Sequence, residues 1–189
     1  MKTHQHFILH KPYGYLSQFV NNQTKRKKKM LGELYDFPEG TMAIGRLDVN
    51  SEGLLLLTTD GKVSEHIRSK KVAKEYYVQV DGIITQKEIN LLKNGVEISV
   101  EGKKYTTKRC DAVLISPPNF PNRTQKLRDE RHGPTSWISI TINEGKFRQV
   151  RKMTAVVGFP TLRLIRIRIG TIYLHDLKLG GVKKVHQLM

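Results

Sequence analysis

An α+β fold is predicted by three features of the chain. Some segments alternate apolar and polar residues with the two-residue period of a strand, others repeat apolar residues at helical spacing, and the two kinds intermingle without an internal repeat. No linker divides the chain, so its 189 residues read as one domain, or two small lobes sharing a core. A hydrophobic content of 38% can build that core while leaving a polar surface.

Phe7 to Leu9 reads as a short strand ended by His10-Lys11-Pro12-Tyr13-Gly14, where proline and glycine force a turn. Residues 21–29 include five consecutive cations, Lys25, Arg26, Lys27, Lys28 and Lys29, which belong on a mobile surface loop. Asp48 to Gly53 is polar, the four leucines Leu54 to Leu57 must be buried, and Asp60-Gly61 closes this unit as a turn. Lys74 to Val80 alternates, with Tyr76, Val78 and Val80 on one face, and predicts a half-buried strand. Thr85 followed by Glu88 is a capping-box pattern, Ile89 and Leu92 supply an apolar stripe and Gly95 a stop, so a helix is predicted over 86–93.

Residues 116–134, basic and rich in proline, read as a surface excursion. Ser136 to Ile142 alternates again, with Ile138, Ile140 and Ile142 facing inward. From Glu144 the period turns helical. Phe147, Val150, Met153 and Val157 share one face, Arg148, Arg151 and Lys152 cluster on another, and Gly158 with Pro160 ends the helix. Residues 161–169 predict a strand with Ile165, Ile167 and Ile169 on its core face and Leu164, Arg166 and Arg168 on the other.

Charge is the strongest global signal. Thirty-three Lys and Arg against seventeen Asp and Glu leave a formal net charge of +16. Such an excess repels itself in the compact state, and a polyanionic partner relieves it. An anionic membrane competes for that role, but the sequence shows no basic amphipathic helix with an aromatic-rich apolar face. No apolar run approaches a membrane span, and residues 1–10 lack the long apolar core of a signal peptide. Nucleic acid is the partner favoured. The 25–29 cluster fits direct RNA contact and a merely solubilising or localisation-like loop equally well. The single cysteine, Cys110, excludes an internal disulfide and cysteine-based zinc sites and fits a reducing cytoplasm. Seven scattered histidines without metal-ligand spacing predict no metal centre.

One carboxylate stands out. Asp48 lies two residues after Arg46 on a polar loop that runs into the leucine strand, and a loop clamped to a buried strand can hold a carboxylate rigidly at a surface. An aspartate before a strand is also an ordinary turn former, and spacing alone does not choose between these readings.

The whole string from Gly45 to Gly61 resembles the active-site motif of the RsuA family of pseudouridine synthases. His10-Lys11-Pro12-Tyr13-Gly14 resembles the family's first motif, with His10 in place of the usual asparagine, so the backbone tethering there is open to difference. Lys74-Glu75-Tyr76-Tyr77-Val78 is similar to its Lys-x-Tyr strand. Glu144-Gly145-Lys146-Phe147-Arg148-Gln149-Val150-Arg151-Lys152-Met153 is similar to its basic helix, and Leu162 to Gly170 to its final strand. Together these cover most of residues 7–180 in the family's order.

The resemblance implies a mixed, largely antiparallel sheet split by a catalytic cleft, with flanking helices. Residues 1–189 would form a single catalytic domain of two sub-lobes, without the small N-terminal RNA-binding domain that many members carry. It implies an enzyme, expected to act as a monomer, that isomerises a uridine of ribosomal RNA with neither metal nor cofactor. By resemblance Asp48 is the catalytic carboxylate, Arg151 the cation that keeps it ionised, Tyr76 the ring packed on the target base and Leu164 an apolar pocket residue. For Arg151 the residue pattern alone fits the solvated face of a helix, and for Tyr76 it fits a core aromatic just as well. Arg46 would contact a phosphate or the flipped base, a structural salt bridge being the other reading. RNA affinity would come from Lys11, the Lys25 to Lys29 loop, Arg148, Lys152, Arg163, Arg166 and Arg168, with help from the 116–134 excursion. The rival is a basic RNA-binding or ribosome-associated protein that keeps the fold without catalysis. A nuclease would want clustered carboxylates or paired histidines, which the sequence lacks.

Overall fold

The computed structural model describes residues 3–20, 28–69, 72–121, 123, 127 and 130–188, and these form an α+β fold. They gather into two compact units, Met1–Val72 with Arg166–Met189, and Ala73–Ile165.

The first unit begins with β1 (His6–Lys11), β2 (Met42–Ile44) and β3 (Glu52–Thr58), followed by helix α1 (Gly61–Ser69). β3, with antiparallel β1 and β2 and the later strand β9 (Thr161–Ile169) as its neighbours in the sheet, is buried along its whole length. A strand covered in this way reads as an uninterrupted apolar run, which is what Leu54 to Leu57 are. Leu55 and Leu57 pack with Phe7, Leu9 and Leu31. Sequence reasoning took Asp60-Gly61 for a turn and missed α1. Asp60 instead caps that helix, its Oδ1 accepting from the backbone N–H of Lys62 at 2.8 Å, since the residue types that favour turns also favour helix N-caps.

The second unit contains β4 (Lys74–Asp81), α2 (Gln86–Asn94), β5 (Glu97–Val100), β6 (Lys103–Thr106), β7 (Asp111–Ile115), β8 (Thr135–Ile142) and α3 (Gln149–Val156). Its strands follow the order β9–β4–β8–β7, with β4·β8 and β7·β8 antiparallel and the predicted face of Tyr76, Val78 and Val80 buried. α2 has the predicted capping box of Thr85 and Glu88, and Gly95 at φ 97 stops it. The β5–β6 hairpin turns on Glu101 and Gly102, both at positive φ as its twist requires.

α3 starts later than its spacing predicts. Arg148 takes the left-handed conformation at φ 53, so the helix begins at Gln149 and Phe147 leaves the apolar face. β9 runs through both units, the division falling after Ile165. Two short strands, β10 (Ile172–Tyr173) and β11 (Val182–Val185), complete the first unit, β11 pairing antiparallel with β1. Among the described residues no helix is long and apolar enough to cross a membrane.

Candidate active site

In the first unit the backbone around Asp48 is clamped on every side. Leu47 is buried, and the Ser17 hydroxyl takes up both of its main-chain groups, accepting from Leu47 N at 3.0 Å and donating to Leu47 O at 2.8 Å. The carbonyl of Asp48 accepts from Ser51 N at 2.9 Å, and that of Val49 from Gly14 N at 2.8 Å. With both neighbours fixed, the main chain that carries the half-buried Asp48 side chain has little freedom to move. Arg46, two residues earlier, is exposed.

Two cations and a second carboxylate surround this loop. Lys11 lies opposite Gly53 in the β1–β3 ladder, is fully buried, and donates from Nζ to Pro12 O at 2.8 Å and Tyr15 O at 2.7 Å. Burial pulls its pKa from 10.5 down to about 7. The carboxylate of Glu52 opposes the fall, Arg166 adds to it, and Asp48 opposes it more weakly. A neutral amine has two N–H donors, enough for both carbonyls. Glu52, at 1% exposure, is a buried carboxylate that sequence reasoning passed over; its position opening the leucine strand was the available signal. Arg166 donates from Nε to Leu54 O at 2.8 Å, and its Nη2 has no hydrogen-bond partner among the described residues. The two strands approach so closely here that only glycine fits at 53. At φ +107, a Cβ on Gly53 would stand 2.3 Å from Arg166 O and 2.6 Å from Arg166 N.

The second unit carries the other expected residues. Tyr76 is buried on β4, opposite Ile140 of β8. Arg151 is half-buried on α3 and donates to Thr161 O at 3.4 Å. Leu164 is buried on β9, as is Arg163, whose guanidinium donates to Pro121 O at 2.9 Å. Lys152 donates to Ser99 O at 2.6 Å, and Arg148 is exposed.

Of the cations expected to meet RNA, Lys11, Arg163 and Arg166 are therefore buried and bonded to main-chain carbonyls. Nor does β9 show the clean two-faced pattern expected of it, because Arg163 to Arg166 are buried on both faces where the strand is flanked. Arg168 is half-buried over the Tyr173 ring at 5.6 Å. Lys25, Arg26 and Lys27 lie outside the described residues. Lys28 and Lys29 do not: the carbonyl of Lys29 accepts from Leu16 N at 2.9 Å and its ammonium stands 5.4 Å from the Tyr15 ring centre. The end of the basic run is thus tied to residues adjoining Ser17, where sequence reasoning placed a mobile loop. Among the described residues no group of three His, Cys, Asp or Glu side chains could hold a metal ion.

Residues 5–156 fit the family model described as RNA pseudouridylate synthase. The chain is 39% identical over 180 residues to the ribosomal large subunit pseudouridine synthase E of Vibrio vulnificus (strain CMCP6), covering 94% of this chain and 74% of that one. It is 39% identical over 166 residues to the protein of the same name from Xanthomonas axonopodis pv. citri, covering 86% and 84% respectively. A solved structure, described as a crystal structure of pseudouridylate synthase, matches with a TM-score of 0.75 at 26% identity over 98% of this chain and 71% of that chain. The chain belongs to the RNA pseudouridylate synthase family, whose members isomerise uridine in RNA.

Proposed function

We propose that this chain converts a specific uridine of large-subunit ribosomal RNA to pseudouridine, with Asp48 as its single catalytic carboxylate. The observation that carries the site assignment is the clamp on the Asp48 loop, where Ser17, Gly14 and Ser51 fix the main chain from Leu47 to Val49. The ribosomal substrate is supported by the names of the relatives and by the net charge of +16.

In the reaction the C1′–N1 bond breaks, the uracil turns over, and C1′ bonds to C5. The proton leaving C5 is matched by one gained at N1, so atoms and electrons balance within the nucleotide. Hydrolysis of a glycosidic bond uses two carboxylates with separate duties. An isomerisation that retains the base can work with one, acting at the ribose as nucleophile on C1′ or as base on C2′. Arg151, Tyr76 and Leu164 take the roles of charge partner, base-packing ring and pocket lining by family resemblance. Lys11 interacts electrostatically with Asp48, and Arg166 with Lys11.

The test is Asp48→Asn, nearly isosteric and without charge. Single-turnover isomerisation of ribosomal RNA should vanish while RNA affinity stays within a few-fold. Substantial residual turnover would remove Asp48 from the mechanism. A wild-type chain that binds this RNA but never isomerises it would return the protein to the non-catalytic binder.

A further inference from the structure

Phe147 is 68% exposed although its spacing from Val150 and Met153 places it on an apolar helical stripe. The structure shows what turns it outward. Arg148 is left-handed, and the segment before α3 is pinned from below by Gln149, itself only 3% exposed. Gln149 Oε1 accepts from Lys146 N at 3.0 Å, and Gln149 Nε2 donates to Glu144 Oε1 at 2.6 Å. Glu144 in turn accepts from the Tyr105 hydroxyl and from Lys108 N. The ring is presented by a hydrogen-bonded turn, at the expense of a left-handed residue that is not glycine.

Its neighbours are cations. Lys152 Nζ stands 5.4 Å from the Phe147 ring centre while donating to Ser99 O, so its position is held. Lys146 Nζ lies 4.8 Å from the Tyr105 ring centre, and Arg148, next in the chain, is exposed. A protein partner would want apolar neighbours around such an anchor, and these are charged. An aromatic face rimmed by ammonium and guanidinium groups suits an unpaired base, with its flanking phosphates on the cations.

We propose that Phe147 is a stacking platform for an unpaired base of the bound RNA, with Lys146, Arg148 and Lys152 contacting the adjoining phosphates. This rests on the reading of the chain as an RNA enzyme, and it adds a binding residue outside the reacting groups. The test uses two probes, a short oligoadenylate and an oligomer of the same length and backbone with abasic sites. Binding is titrated for wild type, Phe147→Ala and Phe147→Trp at several salt concentrations, and circular dichroism checks that each variant is folded. Phe147→Ala should weaken oligoadenylate binding about five- to a hundredfold, the range expected for one lost stack. It should leave both the abasic probe and the slope of log affinity against log salt unchanged, since no cation is lost. Phe147→Trp should restore binding, with its added indole fluorescence quenched by the base-bearing probe only. Equal oligoadenylate affinity in wild type and Phe147→Ala would overturn the proposal, and so would equal weakening on both probes. None of these titrations requires turnover, so their outcome is read separately from that of Asp48→Asn.

Discussion

Lys11 offers a test of how the fold buries a cation. In the unfolded chain its amine titrates at the ordinary 10.5; in the folded protein burial brings that to about 7. Between those values the unfolded chain holds a proton that the folded chain has released, so stability rises with pH across this window. Below about pH 7 both forms are protonated and the full cost of burying the ammonium remains. At about 1.4 kcal/mol for each pH unit, that cost is on the order of 5 kcal/mol. Lys11→Met removes it but strips the donors from Pro12 O and Tyr15 O, at about 1–3 kcal/mol for each carbonyl left unpaired. The two effects nearly offset at neutral pH, so the size of the change there says little. The pH dependence of the difference says more. Urea unfolding of wild type and Lys11→Met, followed at intervals from about pH 6 to about pH 10, should show wild type gaining about 1.4 kcal/mol per pH unit on the variant above about pH 7. Titrating groups that do not interact with Lys11 are common to both proteins and cancel. Parallel curves would mean that Lys11 keeps its ordinary pKa in the fold, and the account of its burial would fail.

Gly53→Ala should cost about 2–6 kcal/mol in chemical unfolding, combining a strained positive φ with overlap onto the Arg166 main chain; a loss below about 1 kcal/mol would refute the close approach of these strands. If Arg151 is the charge partner that family resemblance makes it, Arg151→Met should lower the isomerisation rate strongly and move its pH profile upward, because a carboxylate that loses its cation is harder to ionise. Arg151→Lys should retain part of the rate through its point charge, and an Arg151→Met enzyme with unchanged rate and profile would return this residue to the solvated face of α3.

Much of the architecture is legible in the residues because it depends on neighbours in the chain. The run Leu54 to Leu57 demands burial on both faces wherever it lies, and β3 is buried throughout. Thr85, Glu88 and Gly95 act within one or two helical turns, so α2 has its predicted boundaries to within a residue. Alternation over Lys74 to Val80 and Ser136 to Ile142 identifies β4 and β8 to within a residue at either end, with Tyr76, Val78, Val80, Ile138, Ile140 and Ile142 buried as predicted. The Asp48 loop stands out through its resemblance to the family motif, since a polar segment before a strand suits an ordinary turn former equally well. Local chemistry fails where one local pattern has two outcomes. Asp60-Gly61 suits a turn or a helix cap, and the stripe containing Phe147 continues only if Arg148 stays right-handed.

The residues that hold the loop are decided by tertiary structure alone. Ser17 reaches Leu47 across 30 residues, and Arg166 reaches Leu54 across 112. A serine that fills both main-chain groups of a distant leucine has no periodicity or spacing by which to be recognised. Nor does sequence show whether a lysine or arginine faces RNA or lies buried on carbonyls. Lys11, Arg163 and Arg166 all looked like surface cations, and all three are interior. Periodicity and turn chemistry are properties of neighbouring residues, so the sequence carries them openly; burial of a charge depends on which distant strands close over it.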